Sequence, residues 1–260
     1  MSILSIGLPG LEVLGRPLDG GRPDGVYLGP DGFEGWDDSP DMRRETVQRV
    51  AAAGDFNATG YPDARVVSLS GVIVSPSEDR TQYWGERLTG VLSTGSTERI
   101  TVRRGDTVRF SPGGLVKTKV VTRARARHIA DWQMQLWFPD PRKYGAQNHV
   151  PGDAVGFAVV SHYGNTDASS RLVVAGTSER WRVTGPGGRS VLVTRALQAG
   201  KPHIYDLRTG RLTIDGVPAP AGSMDEADTW TVPAGVQANY QLYVGTGDAT
   251  LDVYTRDTYI

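Results

Sequence analysis

Apolar and polar residues alternate with a period of two along most of this chain, the spacing of strands whose successive side chains point to opposite faces of a sheet. The alternation is cleanest over residues 63–74, where Val67, Leu69 and Ile73 share one face, Ser68 and Ser70 the other, and Gly71 marks a bulge or a close backbone approach. Trp132, Met134, Leu136 and Phe138 alternate in the same way with Asp131, Gln133, Gln135 and Trp137. Ile100 and Val102 alternate with Arg99, Thr101 and Arg103, and Arg104-Gly105-Asp106 then turns the chain into Val108 and Phe110, which reads as a hairpin. That triplet is also an integrin-type adhesion tripeptide, but Gly-Asp is ordinary turn chemistry. One stretch departs from the period of two. Ser75, Pro76, Ser77 and Glu78 read as an S-x-x-E capping box with proline at the first helical position, and Tyr83, Trp84, Leu88, Val91 and Leu92 follow at helical spacing as one packing stripe. Gly85 and Gly90 each weaken that helix by about 1 kcal/mol relative to alanine, so tertiary or inter-subunit packing must support it.

The remaining pattern sets the domain plan. Residues 1–35 carry little periodicity, and their Gly, Pro and Asp content reads as successive turns around a brief Val26-Tyr27-Leu28 strand. Val47, Val50 and Ala51 fit either a strand or a short helix, and the turn-like flanks favour a strand. Two prolines around Asp140 end the strand closing at Phe138, and residues 147–153 read as a polar linker. The expected domains are therefore 1–148 and 149–260. From Ala154 onward nine short strands follow one another between turn signals such as Gly185-Pro186-Gly187-Gly188, the pattern of an antiparallel β-sandwich. The fold class is mainly β: an N-terminal β-sandwich with one α-helix and a long β-ribbon, then a second sandwich.

Composition narrows the chemistry. With 28 basic and 29 acidic residues there is no global polycation to draw nucleic acid or an anionic membrane, so any polyanion contact must be local. The absence of cysteine excludes disulfides, thiolate metal sites and cysteine nucleophiles. No signal-like N-terminus or membrane-length apolar run occurs, which predicts a chain made in the cytoplasm without a membrane span. His128, His149, His162 and His203 are scattered, and no nucleophile-elbow, zinc-protease or phosphate-loop motif is present. His149, Asp153 and His162 are the one conceivable metal group, and solitary polar residues around a linker read more simply as surface. The carboxylate pairs Asp37-Asp38 and Glu78-Asp79 have a bland reading as well, the second as first-turn charges that complement the helix dipole. The expectation is no enzyme, no cofactor and no metal.

Leu115 to Arg127 is the most unusual strand pattern, because Lys117, Lys119, Arg123, Arg125 and Arg127 share one parity. They form either a solvated face that blunts an edge strand or a docking arm that meets carboxylates of a neighbouring subunit or passing phosphates. The order of motifs carries a resemblance. Trp36-x-x-Ser39, an arginine-rich run ending at Gly54-Asp55-Phe56, Arg65 to Gly71, the helix, the basic ribbon and Asp140-Pro141-Arg142-x-Tyr144 follow in sequence. In the second half come Gly164-Asn165, Ile204-Tyr205-Asp206, Arg208-x-Gly210, Gly216 and Trp230-x-Val232-Pro233-x-Gly235. Together they resemble the distal tail protein family of siphophages, whose C-terminal sandwich is described as galectin-like. The resemblance implies a structural protein of the virion, a homo-hexameric ring at the distal end of the tail. It implies partners in the tail tube protein, the tape-measure protein, the tail tip or baseplate hub and receptor-binding proteins, with DNA passing the lumen without sequence-specific contact. It also implies a β-ribbon belt against the next subunit, matched to Leu115–Phe138, and assigns Arg65, Gly71, Asp140, Pro141 and Arg142 to shaping the ring domain. A non-ring minor tail protein and a carbohydrate-binding adhesin remain as alternatives, the latter with Trp181 and Trp230 as sugar-stacking candidates or, more simply, core residues.

Overall fold

A turn at Pro9-Gly10, with Gly10 at φ +70°, pairs strands β1 (Leu4–Leu8) and β2 (Leu11–Leu14). Ile6, Leu8, Leu11 and Val13 are buried, so this entry segment is core rather than a run of turns. The computed structural model describes residues 4–15, 23–56 and 59–260; the turn-rich run over 16–22 lies outside the described residues. Strands hold 58% of the chain and helix 6%, which makes the protein mainly β, as its alternation implies. The chain divides into two compact units between Lys143 and Tyr144.

In the first unit β3 (Gly25–Glu34), β8 (Arg65–Val74), β9 (Glu98–Arg104), β10 (Thr107–Arg123) and β11 (Ala126–Phe138) join β1 and β2. Between β3 and β8 lie four two-residue strands: β4 (Met42–Arg43), β5 (Val47–Gln48), β6 (Asp55–Phe56) and β7 (Tyr61–Pro62). The seven longer strands run in the order β11-β8-β3-β2-β1-β9-β10, and β10 pairs back onto β11. The two layers expected of a sandwich are thus opposite walls of one closed sheet, which leaves no free sheet edge around its girth. Val67, Leu69, Ile73, Trp132, Met134, Leu136 and Phe138, all predicted to face a core, are each at most 2% exposed inside it. Gly71 is required by close approach: a Cβ there would lie 2.0 Å from the carbonyl oxygen of Tyr27 on β3. The hairpin at Gly105-Asp106 is also observed, with Gly105 at φ +57° as the turn demands.

The helix α1 spans Glu78–Gly90, and its cap lies two residues beyond the predicted one. Ser77, not Ser75, is the N-cap, with its side chain accepting from the Arg80 N–H at 3.3 Å. Ser75 instead donates to the Ser77 carbonyl and bonds the Thr81 hydroxyl; with Arg80 three residues after Ser77, the helix has a serine N-cap but not the reciprocal glutamate of the expected capping box. Thr81, Gly85 and Leu88 are the buried line of the helix, and it packs on the inner face of the β10–β11 pair, where Gly85 faces Val120. Trp84 is partly buried and donates its indole N–H to Asp24. Tyr83 departs from the expected stripe: it faces outward, with the Arg80 and Arg87 guanidinium groups over its ring. Val91 and Leu92 are buried beyond the helix end. A methyl at Gly85 would sit 3.5 Å from Val120, ordinary contact, and one at Gly90 meets nothing within 4 Å. Gly85→Ala and Gly90→Ala are therefore expected to raise stability by about 0.5–1 kcal/mol each in urea unfolding.

The second unit is a two-sheet antiparallel sandwich. One sheet orders β12 (Lys143–Pro151), β22 (Gly247–Tyr259), β14 (Ser170–Ser178), β17 (His203–Asp206), β18 (Arg211–Ile214) and β19 (Val217–Pro218). The other orders β13 (Phe157–Val160), β21 (Ala238–Val244), β15 (Trp181–Thr184), β16 (Ser190–Val193) and β20 (Met224–Ala227). Most of the predicted linker at 147–153 is strand β12, because polar residues on an outward face are compatible with a sheet as well as with a loop. The strand expected at 229–232 is absent; Trp230 and Val232 are buried as a loop crossing the core, with one bridge from Val232 to Ala168.

Candidate functional site: an exposed arm and the barrel wall

Residues 41–56 are all exposed, and within them Met42, Val47, Val50 and Phe56 present more than half of their surface. Met42 pairs with Pro62, Arg43 with Tyr61, Val47 with Phe56 and Gln48 with Asp55, so the described residues of 42–56 and 59–62 form a two-stranded arm turning near Gly54. Arg49 lies over Phe56 at 5.5 Å. A two-stranded ribbon alone in water is marginal, and this one exposes apolar side chains and strand edges together.

The base of the arm is built the opposite way. Trp36 is 2% exposed and meets Phe138 edge-on at 5.7 Å. Arg65, 3% exposed where β8 leaves the arm, donates Nη1 to the Gly35, Trp36 and Asp38 carbonyls and Nε to the Pro141 carbonyl. Lys143 donates Nζ to the same Trp36 carbonyl at 2.9 Å. Arg104 pairs with Asp37 at 2.6 Å, and the Asp63 N–H reaches the Asp41 carbonyl at 2.7 Å. Two buried cations thus bind the backbone from which the arm departs.

Burial, reinforced by the positive charge of Arg65, pulls the Lys143 ammonium down to about 8. Its unfolded value is near 10.5, so between those values the unfolded chain holds the proton that the folded chain has released. Stability contributed by this group must then rise with pH from about 8 toward 10.5, by at most about 1.4 kcal/mol per pH unit. Urea midpoints across that window should show the rise in the native chain and lose it in Lys143→Met.

The basic ribbon is placed differently from the sequence expectation. The strand stops at Arg123 and turns at Ala124-Arg125, so the shared parity is interrupted and Arg127 belongs to β11. Lys117, Lys119 and Arg123 do face outward together. Arg123 holds Asp131 in a two-pronged pair at 2.9 and 2.6 Å, which keeps that carboxyl below its ordinary range. Arg127 pairs with Glu78 at the start of α1, and Arg125 is exposed in the turn. Lys117 and Lys119 make no ion pair among the described residues; they line a shallow groove with Asp31, Glu34, Gln133 and Gln135. The ribbon is a wall of the barrel, packed from inside by α1, while Val66, Val116, Val121 and Trp137 stay exposed on its outer side. The segment exposed along its whole described length is instead 41–56, which was not singled out from the sequence. The arm's signal was apolar residues in a turn-rich, arginine-rich run.

In the second unit Trp181 and Trp230 are 1% and 3% exposed, so neither presents a ring face to a sugar. Among the described residues no group of three or more metal-ligating side chains converges. His149 instead bonds Asp252 at 2.6 Å and stacks on Tyr254, and His162 lies buried against the Val232 carbonyl.

No protein-family model and no curated protein matches the chain. The fold, however, is one found in solved structures of phage adsorption and baseplate proteins. The SPP1 Dit (gp 19.1) protein, described as a paradigm of the hub adsorption apparatus of phages infecting Gram-positive hosts, superposes with a TM-score of 0.76 over 99% of each chain at 10% identity. Chains of the phage P2 baseplate in its activated conformation, with Ca and with Sr, give TM-scores of 0.51 and 0.52 over 98% of each chain at 7% identity.

Proposed function

We propose that this chain is a structural component of a phage tail, one subunit of a hexameric distal ring that joins the tail tube to the tip or baseplate. The observation that carries the reading is the arm, an apolar two-stranded extension on a rigid, buried base. Such a surface is stabilised only when another chain covers it. The outer wall of the barrel is a fitting acceptor, with Trp137 and Val121 exposed and Lys117 and Lys119 free to meet the arm's Glu45 and Asp55. Arm and wall are different patches, so copies join head to tail, and such contacts generate a ring when the rotation closes. The tail setting rests on the resemblance in motif order and on the fold likeness to hub and baseplate proteins, and the count of six on the resemblance alone. In this reading the lumen continues the channel for DNA without base-specific contacts, and the tube, tape-measure and hub proteins are the neighbours. The second unit takes the galectin-like place. Negative-stain images of the purified chain test the proposal: closed rings of six are expected, and monomers or open filaments would contradict it.

A further inference from the structure

A cavity of about 230 Å³ in the second unit is lined on its polar side by Arg195, Gln198, Lys201 and His203, with Ile214 and Pro218 among its apolar wall. No carboxylate lines it, and Arg195 and Lys201 make no ion pair among the described residues. His203 is fully buried, and the Trp181 indole N–H donates to its Nδ1 at 3.0 Å. A tryptophan can only donate, so Nδ1 carries the lone pair and the proton of the neutral ring sits on Nε2. Burial and the nearby Arg195 charge both keep the ring neutral. Its Nε2–H is then a buried donor with no acceptor among the described residues. Such groups are uncommon, because a buried donor loses its water without compensation.

We propose that this cavity is a binding site for a single oxyanion, a phosphate or carboxylate carried on a compact, partly apolar body. The anion meets Arg195 and Lys201 at the mouth, accepts from Gln198 and supplies the acceptor that His203 lacks, while the body rests on Ile214 and Pro218. The site does not depend on the assembly reading, since every residue in it belongs to the second unit.

The test is a two-dimensional NMR titration of the full chain with glycerol phosphate, with glucuronate and with uncharged glycerol. Saturable shifts at millimolar concentration are expected around 195–203 and 214–220, including the Trp181 indole proton, with one or both charged probes. Saturation with glycerol phosphate alone assigns a phosphate ligand, with glucuronate alone a carboxylate, and with both a general oxyanion site. Arg195 and Lys201 are exposed, so Arg195→Gln and Lys201→Gln leave the fold intact, and each should weaken binding by about tenfold. Three results would overturn the proposal: no saturation with either anion, equal shifts with glycerol, or unchanged affinity in both variants. Nitrogen-15 spectra showing His203 with its proton on Nδ1 would do the same.

Discussion

Excision of residues 42–62, with a short Gly-Ser bridge from Asp41 to Asp63, is expected to yield a folded chain that no longer self-assembles. The two ends already meet, through the Asp63 N–H on the Asp41 carbonyl at 2.7 Å, so the bridge closes without distorting the barrel. Residues 41–56 are all exposed, which means that the excision removes almost none of the core of the first unit. Far-ultraviolet circular dichroism and the melting temperature should therefore change little, whereas the solution mass should fall to that of one chain. Phe56→Ala and Val47→Ala are expected to act in the same direction more weakly, each removing one apolar anchor of an interface whose energy concentrates in a few residues. A truncated chain that still assembled would place the contacts elsewhere, with the barrel wall then meeting its own kind.

Arg65→Met is expected to cost about 3 kcal/mol or more, because it leaves four buried or part-buried carbonyls without their shared donor. Those carbonyls belong to Gly35, Trp36, Asp38 and Pro141, on two segments that this guanidinium ties together beside the Lys143 ammonium and the Trp36–Phe138 contact. For a domain of this size the loss corresponds to a fall in melting temperature of roughly 6–12 °C. Lysine at the same position restores the charge but not the planar fork, so it should recover only part of the loss. One guanidinium nitrogen, Nη2, has no partner among the described residues, which lowers the net worth of the native arrangement and sets the estimate at the modest end. Equal urea midpoints for native and Arg65→Met chains would show that the arm's base is held by the Trp36–Phe138 packing alone.

What was legible before the structure follows from how local each signal is. Residues 65–74 and 129–138 alternate over about ten positions, and both strands lie where the alternation put them, with their apolar sets inside. The strands at Leu4–Leu8 and Leu11–Leu14 alternate too, yet over so few residues that Pro9-Gly10 read as a break rather than as the turn of a hairpin. Closure of the sheet depends on β1 meeting β9 and on β11 returning to β8, pairings across long separations that no local window contains. The arm was obscured for a different reason. Its strands are two residues long and exposed on both faces, so there is no burial to impose a period. The oxyanion site was equally invisible, since Trp181 and His203 come from different sheets and only their contact fixes which histidine nitrogen holds the proton.

The central claim, that copies of this chain clasp one another through the arm into a ring of six, is tested most directly by the mass of the purified full-length chain at micromolar concentration. Native mass spectrometry should find six chains of 28.0 kDa, about 168 kDa, as the main species, and the arm-excised chain as a monomer. A full-length chain that stays at 28.0 kDa under those conditions, or that forms only symmetric dimers, would contradict the account.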